Sequence, residues 1–322
     1  MKKINEFRSI DGVRKLTKLG ERQSVMACRA LEYICSVLRQ YRVPFVVENF
    51  DTDIPVVQKA NLIIDSKSEP CIGCGMTSGE IPSTNIASSL MSSRFLIDTP
   101  TIYVNPKCLV ASPTNFSFAP AIAVSPKVAK KLLTAKSVKA SLWVKKEKTK
   151  ANSLLVGNTV NPQTIIFSHY DSLGPGAIDN ASGTSVALAV ALKLFNEDTL
   201  GKTLFVFDGN EEISYDYPTY WGHGYRVFEG RYQKLLDGAK KILVVDCVGN
   251  GINQFIQDEK ILKLAFPLKN IDIIKSKTFL LSADFEDLMT VYHSEKDIAK
   301  RVSPEYLAQA EKILFEKVCK RT

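Results

Sequence analysis

The apolar positions of this chain change period along its length, and the changes mark its elements. Val25, Cys28, Leu31, Ile34, Cys35 and Leu38 recur at helical spacing and predict a helix from about Ser24 to Tyr41. Val43 to Phe50 then reads as a strand. From 51 to about 118 the pattern weakens, and Pro, Ser, Thr, Asn and Gly become frequent, as suits short strands and turns. Order returns with a strand at Ala121–Val124, a helix from Lys127 to Leu133 after Pro126, a strand at Val138–Val144 and another beginning at Leu154.

Beyond residue 160, apolar strand runs and helical stretches alternate. The strands are Thr164–Phe167, Thr203–Phe207, Ile242–Val245 and Met289–Tyr292. The helices start near Asn180, run near Tyr225–Leu236, and end with Pro304–Lys317, where Ser303 is placed to cap. Such alternation predicts an α/β fold: a three-layer α/β/α sandwich around a mixed, mostly parallel sheet. Residues 51–145 are expected to form an inserted small β-rich subdomain, with 1–50 and 146–322 as the main domain.

Composition narrows the class without deciding it. The 322 residues are 45% hydrophobic and 24% charged, ordinary for a globular protein. The net charge of +8 comes from lysines mixed with acids, so no nucleic-acid partner is expected. Seven scattered cysteines do not suggest a disulfide framework. The Cys71–Cys74 pair lacks the second pair or histidines that a zinc knuckle needs. No run nears the roughly 18 apolar residues of a membrane span, and no signal peptide is visible, so a cytoplasmic protein is expected, with self-association left open.

The chemistry gathers at strand ends. His169 and Asp171 follow Thr164–Phe167, and Asp179 stands in the Gly-rich turn before the next helix. Glu211 and Glu212 follow Thr203–Phe207, Asp246 follows Ile242–Val245, and His293 follows Met289–Tyr292. Parallel strands would bring these groups to one rim, where open α/β sheets carry their sites. Two histidines and three carboxylates suit a two-zinc hydrolase if one carboxylate bridges. Cobalt and manganese accept similar ligands. Of the Glu211–Glu212 pair, one member can ligate while its neighbour takes a proton. Asp171 is placed to hold the other ring nitrogen of His169.

These pieces resemble the co-catalytic zinc aminopeptidases, which share their fold with the glutamate carboxypeptidases. The likeness rests on His169-Tyr170-Asp171-Ser172, Gly176-Ala177-Ile178-Asp179-Asn180-Ala181-Ser182-Gly183, Glu211-Glu212, Val245-Asp246 and Tyr292-His293-Ser294-Glu295-Lys296-Asp297. It implies two zinc ions per chain. His169, Asp179 and Asp246 would hold one, and Asp179, Glu212 and His293 the other. Glu211 would act as general base, Asp171 would orient His169, and Tyr292 would steady the oxyanion. The substrate would be a peptide or an aminoacyl compound. The 51–145 insertion stands where relatives carry a protease-associated domain.

Two departures are visible. The Glu pair runs into Ile213–Gly224, a longer loop in which Tyr215, Tyr217, Tyr220 or Trp221 is expected either to line a substrate pocket or, equally, to pack the loop itself. The Ser-Asp-His motif and Gly-Pro turn of relatives are not intact at Ser282–Asp287. Three other readings follow: a carboxypeptidase or deacylase using a basic residue such as Arg226 to grip a carboxylate, a single-zinc glutaminyl cyclase, and a scaffold without catalysis. Cys247 beside Asp246 is expected to be a core residue.

Overall fold

The structure is a computed structural model, and it describes residues 6–88 and 98–320. The chain forms two compact units. The first comprises Met1–Thr52, Lys150–Phe285 and Asp297–Thr322, and the second Asp53–Thr149 and Glu286–Lys296.

Along the chain, α1 (Ser9–Thr17) and α2 (Val25–Gln40) lead into β1 (Phe45–Ile64), a 20-residue strand that begins in the first unit and ends in the second. The second unit continues with β2 (Lys67–Ser68), β3 (Ile72–Gly73), β4 (Gly79–Ile81), β5 (Ile86–Ser88), β6 (Thr101–Val104), β7 (Ala121–Val124) and α3 (Pro126–Leu132). The strand β8 (Val138–Gly157) returns the chain to the first unit. There follow β9 (Thr164–His169), α4 (Gly183–Asn196), β10 (Thr203–Asp208), α5 (His223–Gly238) and β11 (Lys241–Val245). The chain closes with β12 (Gln254–Ile256), α6 (Glu259–Ala265), α7 (Ile271–Ile274), β13 (Thr278–Ser282), α8 (Phe285–Met289) and α9 (Pro304–Cys319).

In the first unit the sheet order is β12-β13-β11-β9-β10-β8. The four middle strands are parallel, and β12 and β8 pair antiparallel at the two sides. Every residue of β9, β10 and β11 is buried, as expected of parallel strands covered on both faces. One face carries Ile165, Phe167, Leu204, Val206, Ile242 and Val244 against Tyr225, Phe228 and Leu236 of α5 and Leu262 and Phe266 beside α6. Phe167 meets the rings of Phe228 and Tyr225 edge-on at 5.0 and 5.7 Å. Full burial of one such side chain is worth about 1.5–3 kcal/mol, so this layer is a main source of the unit's stability. The other face is covered by α4, which packs with α1 and α9. Ten of the 14 residues of α4 are buried, which explains why its sequence is apolar nearly all round. The three-layer α/β/α expectation holds.

The second unit has its own core of Leu62, Ile64, Ile81, Ile102, Ile122, Val124, Val128 and Leu142. Its separate sheet runs β3-β7-β6-β5, with β5, β6 and β7 parallel. Ser125 caps α3 by accepting the Val128 amide, with Pro126 in the first turn.

Two local expectations need correction. Met289–Tyr292 is not a strand: Met289 ends α8, and the amides of Val291 and Tyr292 bond back to the Leu288 carbonyl. The strand of this region is β13, ten residues earlier in the chain. Val138–Val144 and the strand from Leu154 are one strand, β8. The helix α1 buries Ser9, Gly12, Val13 and Leu16.

Candidate metal centre

Parallel pairing sets the first level of the site. In register, His169 at the end of β9 lies opposite Asp208 at the end of β10, and Val244 of β11 lies opposite Phe167. Asp246 therefore leaves the sheet beside His169. Asp179 comes from the tight turn Ala177–Ser182 between β9 and α4, where its own φ/ψ of −112°/92° departs from a helix. Three consecutive crossovers thus deliver His169, Asp179, Asp246 and the Glu211–Glu212 pair to the carboxyl edge of one sheet.

At that edge His169 Nε2 is 3.3 Å from Asp179 Oδ1 and 3.4 Å from Asp246 Oδ1. Its Nδ1 is 3.3 Å from Asp171 Oδ1. His169, Asp179 and Glu212 offer ligand atoms all within 4.8 Å of one another, and so do Asp179, Asp246 and Cys247. His169 is 1% exposed, yet neither ring nitrogen makes a hydrogen bond of acceptable geometry. A buried imidazole lone pair facing clustered carboxylates is what a cation would satisfy, and nitrogen with oxygen donors suits zinc. Burial disfavours a charged ring, but Tyr225 and then Asp171, Asp179 and Asp246 outweigh it and push the His169 pKa well up. The carboxylates thus call for positive charge at this point, which a metal ion supplies.

Around the centre, backbone and side chains lock the loops. Asp171 accepts the Glu211 amide at Oδ1 (3.1 Å) and the Glu212 amide at Oδ2 (2.9 Å). It therefore fixes the Glu pair as well as facing His169. Asn180 donates to the Ser168 hydroxyl and the Val245 carbonyl, and accepts the Gly183 amide, capping α4. Thr184 donates to the His169 carbonyl at 2.6 Å.

Two further residues hold the centre: Arg22, which no pattern in the sequence marks, and Asp297, which ends the motif begun by Tyr292. Arg22 is fully buried and donates to the carbonyls of Tyr170 (2.6 Å), Pro175 (2.6 Å) and Gly176 (3.0 Å). It pins the loop that separates His169 from Asp179. Burial lowers its pKa to about 10, while Asp171, Asp297, Glu212 and Asp179 work to keep it charged. Asp297 accepts the amides of Ile178 (2.8 Å) and Asp179 (3.1 Å), holding the other end of the turn. An isolated Arg before a helix looks like any surface residue; its one signal is its place just ahead of α2.

Tyr292 and His293 lie in the second unit, on a turn rather than at a strand end. His293 has a left-handed φ of 48°. Its Nδ1 is 2.9 Å from the Pro113 carbonyl, so Nδ1 carries the proton and donates, leaving Nε2 as the ligand-type atom. The Ser112 hydroxyl donates to the Tyr292 carbonyl, Asn105 donates to Ser112 and to the Met289 carbonyl, and the Tyr292 and His293 rings stack at 3.7 Å.

In the loop after the Glu pair, burial separates the two expected roles, pocket lining and packing. Trp221 is buried and its Nε1 donates to the Leu264 carbonyl at 2.8 Å, with Tyr220 buried edge-on against it. Tyr217 points to solvent, 80% exposed. Tyr220 and Trp221 are packing residues because a 12-residue loop needs its own small core. Arg226 is likewise committed: it donates to Asp216, to Thr219 and to the carbonyls of Trp221 and Pro267. Its guanidinium is buried and bonded into this loop through all three nitrogens, so it is a packing and loop-holding group rather than an open grip for a substrate carboxylate. His223 opens α5, bonded between Asp216 and the Asp51 carbonyl, as a loop anchor and not a ligand.

Asp208, at the end of β10, is packed against the start of α5. A side chain on Gly224 would put its Cβ 1.9 Å from Asp208 Oδ1, so only glycine lets α5 approach so closely. Burial first, and then Asp171, raise the Asp208 pKa from 3.8 to about 7. A carboxyl whose folded pKa is raised holds its proton more tightly when folded, so it costs stability progressively as pH climbs from about 4 towards 7. Asp208→Asn should therefore gain stability over the unaltered chain at pH 8 and lose that advantage near pH 4, as read from urea unfolding at both pH values. Equal differences at the two pH values would show that Asp208 ionises freely.

Residues 153–242 match the model of peptidase family M28. No curated protein matches the sequence. Among solved structures, the zinc aminopeptidase BSAP of Bacillus subtilis aligns over 98% of this chain and 95% of its own, at 15% identity and a TM-score of 0.69. The aminopeptidase of Aneurinibacillus sp. strain AM-1 aligns over 96% and 92%, at 15% identity and 0.61. Glutaminyl cyclase of Porphyromonas gingivalis aligns over 96% of both chains, at 10% identity and 0.51. At such identities the likeness is one of fold. The zinc-peptidase resemblance drawn from the motifs is borne out. No helix among the described residues is long and apolar enough to cross a membrane.

Proposed function

We propose that this chain, with the fold of the zinc aminopeptidases and a central stretch matching peptidase family M28, is a two-zinc aminopeptidase. By the motif likeness, His169, Asp179 and Asp246 would hold one ion, and Asp179, Glu212 and His293 would hold the other. Zinc bound there would act as a Lewis acid on the peptide carbonyl and make water acidic at neutral pH. Glu211 takes the proton of the attacking water and delivers it to the departing amine. Asp171 keeps His169 oriented and holds both glutamate amides. Tyr292 donates towards the developing oxyanion. One observation carries this reading: His169, Asp179 and Glu212 converge within 4.8 Å, with Asp246 3.4 Å from the same ring nitrogen.

The test pairs metal content with substrate choice. Protein prepared without chelator should hold about two zinc per chain, falling sharply in Asp179→Ala. Zinc-replete protein should release amines from free aminoacyl anilides and not from N-blocked ones. Hydrolysis of N-blocked substrates alone would turn the reading to a carboxypeptidase or deacylase. The glutaminyl cyclases share this fold, so a peptide with N-terminal glutamine belongs in the set. Ammonia release without peptide cleavage, at one zinc per chain, would replace the peptidase reading with cyclisation.

A further inference from the structure

We infer that Cys247 is itself a metal ligand, giving the ion held by His169, Asp179 and Asp246 a thiolate donor and a preference for thiophilic cations. The inference rests on the metal centre proposed above. Its ground is a grouping of side chains that the motifs did not foresee. Among the described residues, Cys247 is the one cysteine whose sulfur falls within 4.8 Å of ligand atoms of two carboxylates, those of Asp179 and Asp246. Its Sγ lies 3.2 Å from Asp246 Oδ1, the same oxygen that faces His169 Nε2 at 3.4 Å. That ring nitrogen is buried and makes no hydrogen bond, so the pocket into which the thiol points already has an unsatisfied ligand atom.

The backbone is built to aim this side chain. Cys247 has a left-handed φ of 54°, which a residue with a Cβ adopts only when its surroundings enforce it. Here they do. Its amide donates to Asn180 Oδ1 (3.3 Å), and its carbonyl accepts from the Ala283 amide (3.0 Å) and the Ser282 hydroxyl (3.3 Å). Asn180 is the neighbour of Asp179, so the turn that carries the shared carboxylate also fixes the thiol. The side chain is 6% exposed, so the thiol is shielded from bulk solvent.

The chemistry that follows is simple. With no cation, the S–H donates to Asp246. On binding, the thiol proton passes to solvent and a sulfur–metal bond takes its place. Imidazole and carboxylates alone bind zinc, cobalt and manganese alike, whereas a thiolate favours the softer ions. The centre should then select zinc and cadmium over manganese.

Cobalt(II) reads both questions at once. Metal-depleted full-length protein titrated with cobalt should develop visible d–d bands, which report occupation of the centre, together with a near-ultraviolet sulfur-to-cobalt charge-transfer band. Cys247→Ser should keep the d–d bands and lose the charge-transfer band. Its preference for zinc over manganese should fall about 10-fold or more, the loss typical even of groups one layer behind the ligands. A d–d spectrum with no charge-transfer band in the unaltered protein overturns the inference and leaves the metal centre standing. A charge-transfer band that persists in Cys247→Ser assigns the sulfur to another cysteine and also overturns it. Absence of any d–d band removes the metal centre itself, and the inference with it.

Discussion

Arg22→Ala should cost about 3–5 kcal/mol of folding stability, the loss typical of removing one partner from a buried charged network. The guanidinium is fully buried and bonds three carbonyls of the loop between His169 and Asp179. Removing it leaves the Tyr170 and Pro175 carbonyls without the guanidinium donors, and Asp171, Asp297, Glu212 and Asp179 without the cation that offsets them. Arg22→Lys should recover only part of the loss, because one ammonium cannot fork to three acceptors. Guanidinium unfolding of the metal-loaded and metal-depleted chains would measure both effects. Zinc content should fall along with stability, since the loop positions two ligands. A cost below about 1 kcal/mol, the scale of one ordinary hydrogen bond, would mean that water replaces the guanidinium and that the loop holds its shape alone.

Glu211→Gln should lower kcat by roughly 10²–10⁴ while zinc content and KM stay near their original values. The substitution keeps size and removes only the basic oxygen. The main-chain bond from Glu211 to Asp171 Oδ1 survives, as does the bond from the Gly222 amide to the Glu211 carbonyl. Glu212→Gln is the contrast: it should lose metal, because Glu212 belongs to the ligand cluster with His169 and Asp179. Activity within a few-fold of the original in Glu211→Gln, with zinc retained, would end its role as proton carrier. Loss of zinc from both variants would show that the two glutamates do not divide the work.

Much of the first unit was legible because buried parallel strands have few ways to be written. Thr164–Phe167, Thr203–Phe207 and Ile242–Val245 are short apolar runs bounded by turns, and each is a middle strand of the sheet. Met289–Tyr292 has the same local character and is a helix end, since four residues cannot distinguish the two periods. The polar stretch 145–152 hid the continuity of β8, because exposed strand residues carry no hydrophobic signal. The aromatic loop left two readings open, pocket lining and loop packing, and burial decides for packing at Tyr220 and Trp221.

By itself, then, the order of residues determined the layered α/β architecture, the matching stretch 153–242, and the strand-end positions of His169, Asp179, Glu212 and Asp246. Strand-end chemistry is local: a run of apolar residues, a glycine-rich turn and a charged residue at a set distance. Tertiary structure alone decided that Arg22 props the loop, that Asp171 and Asp297 hold its amides, that Arg226 is spent on its own loop, and that Cys247 faces the carboxylates. The props on the loop depend on partners from 40 to about 150 residues away, Arg226 is also tied to Pro267 outside its own loop, and Cys247 has a backbone angle held by Asn180 and Ala283. No local pattern encodes a contact of that kind; it exists only once the sheet has brought the loops together.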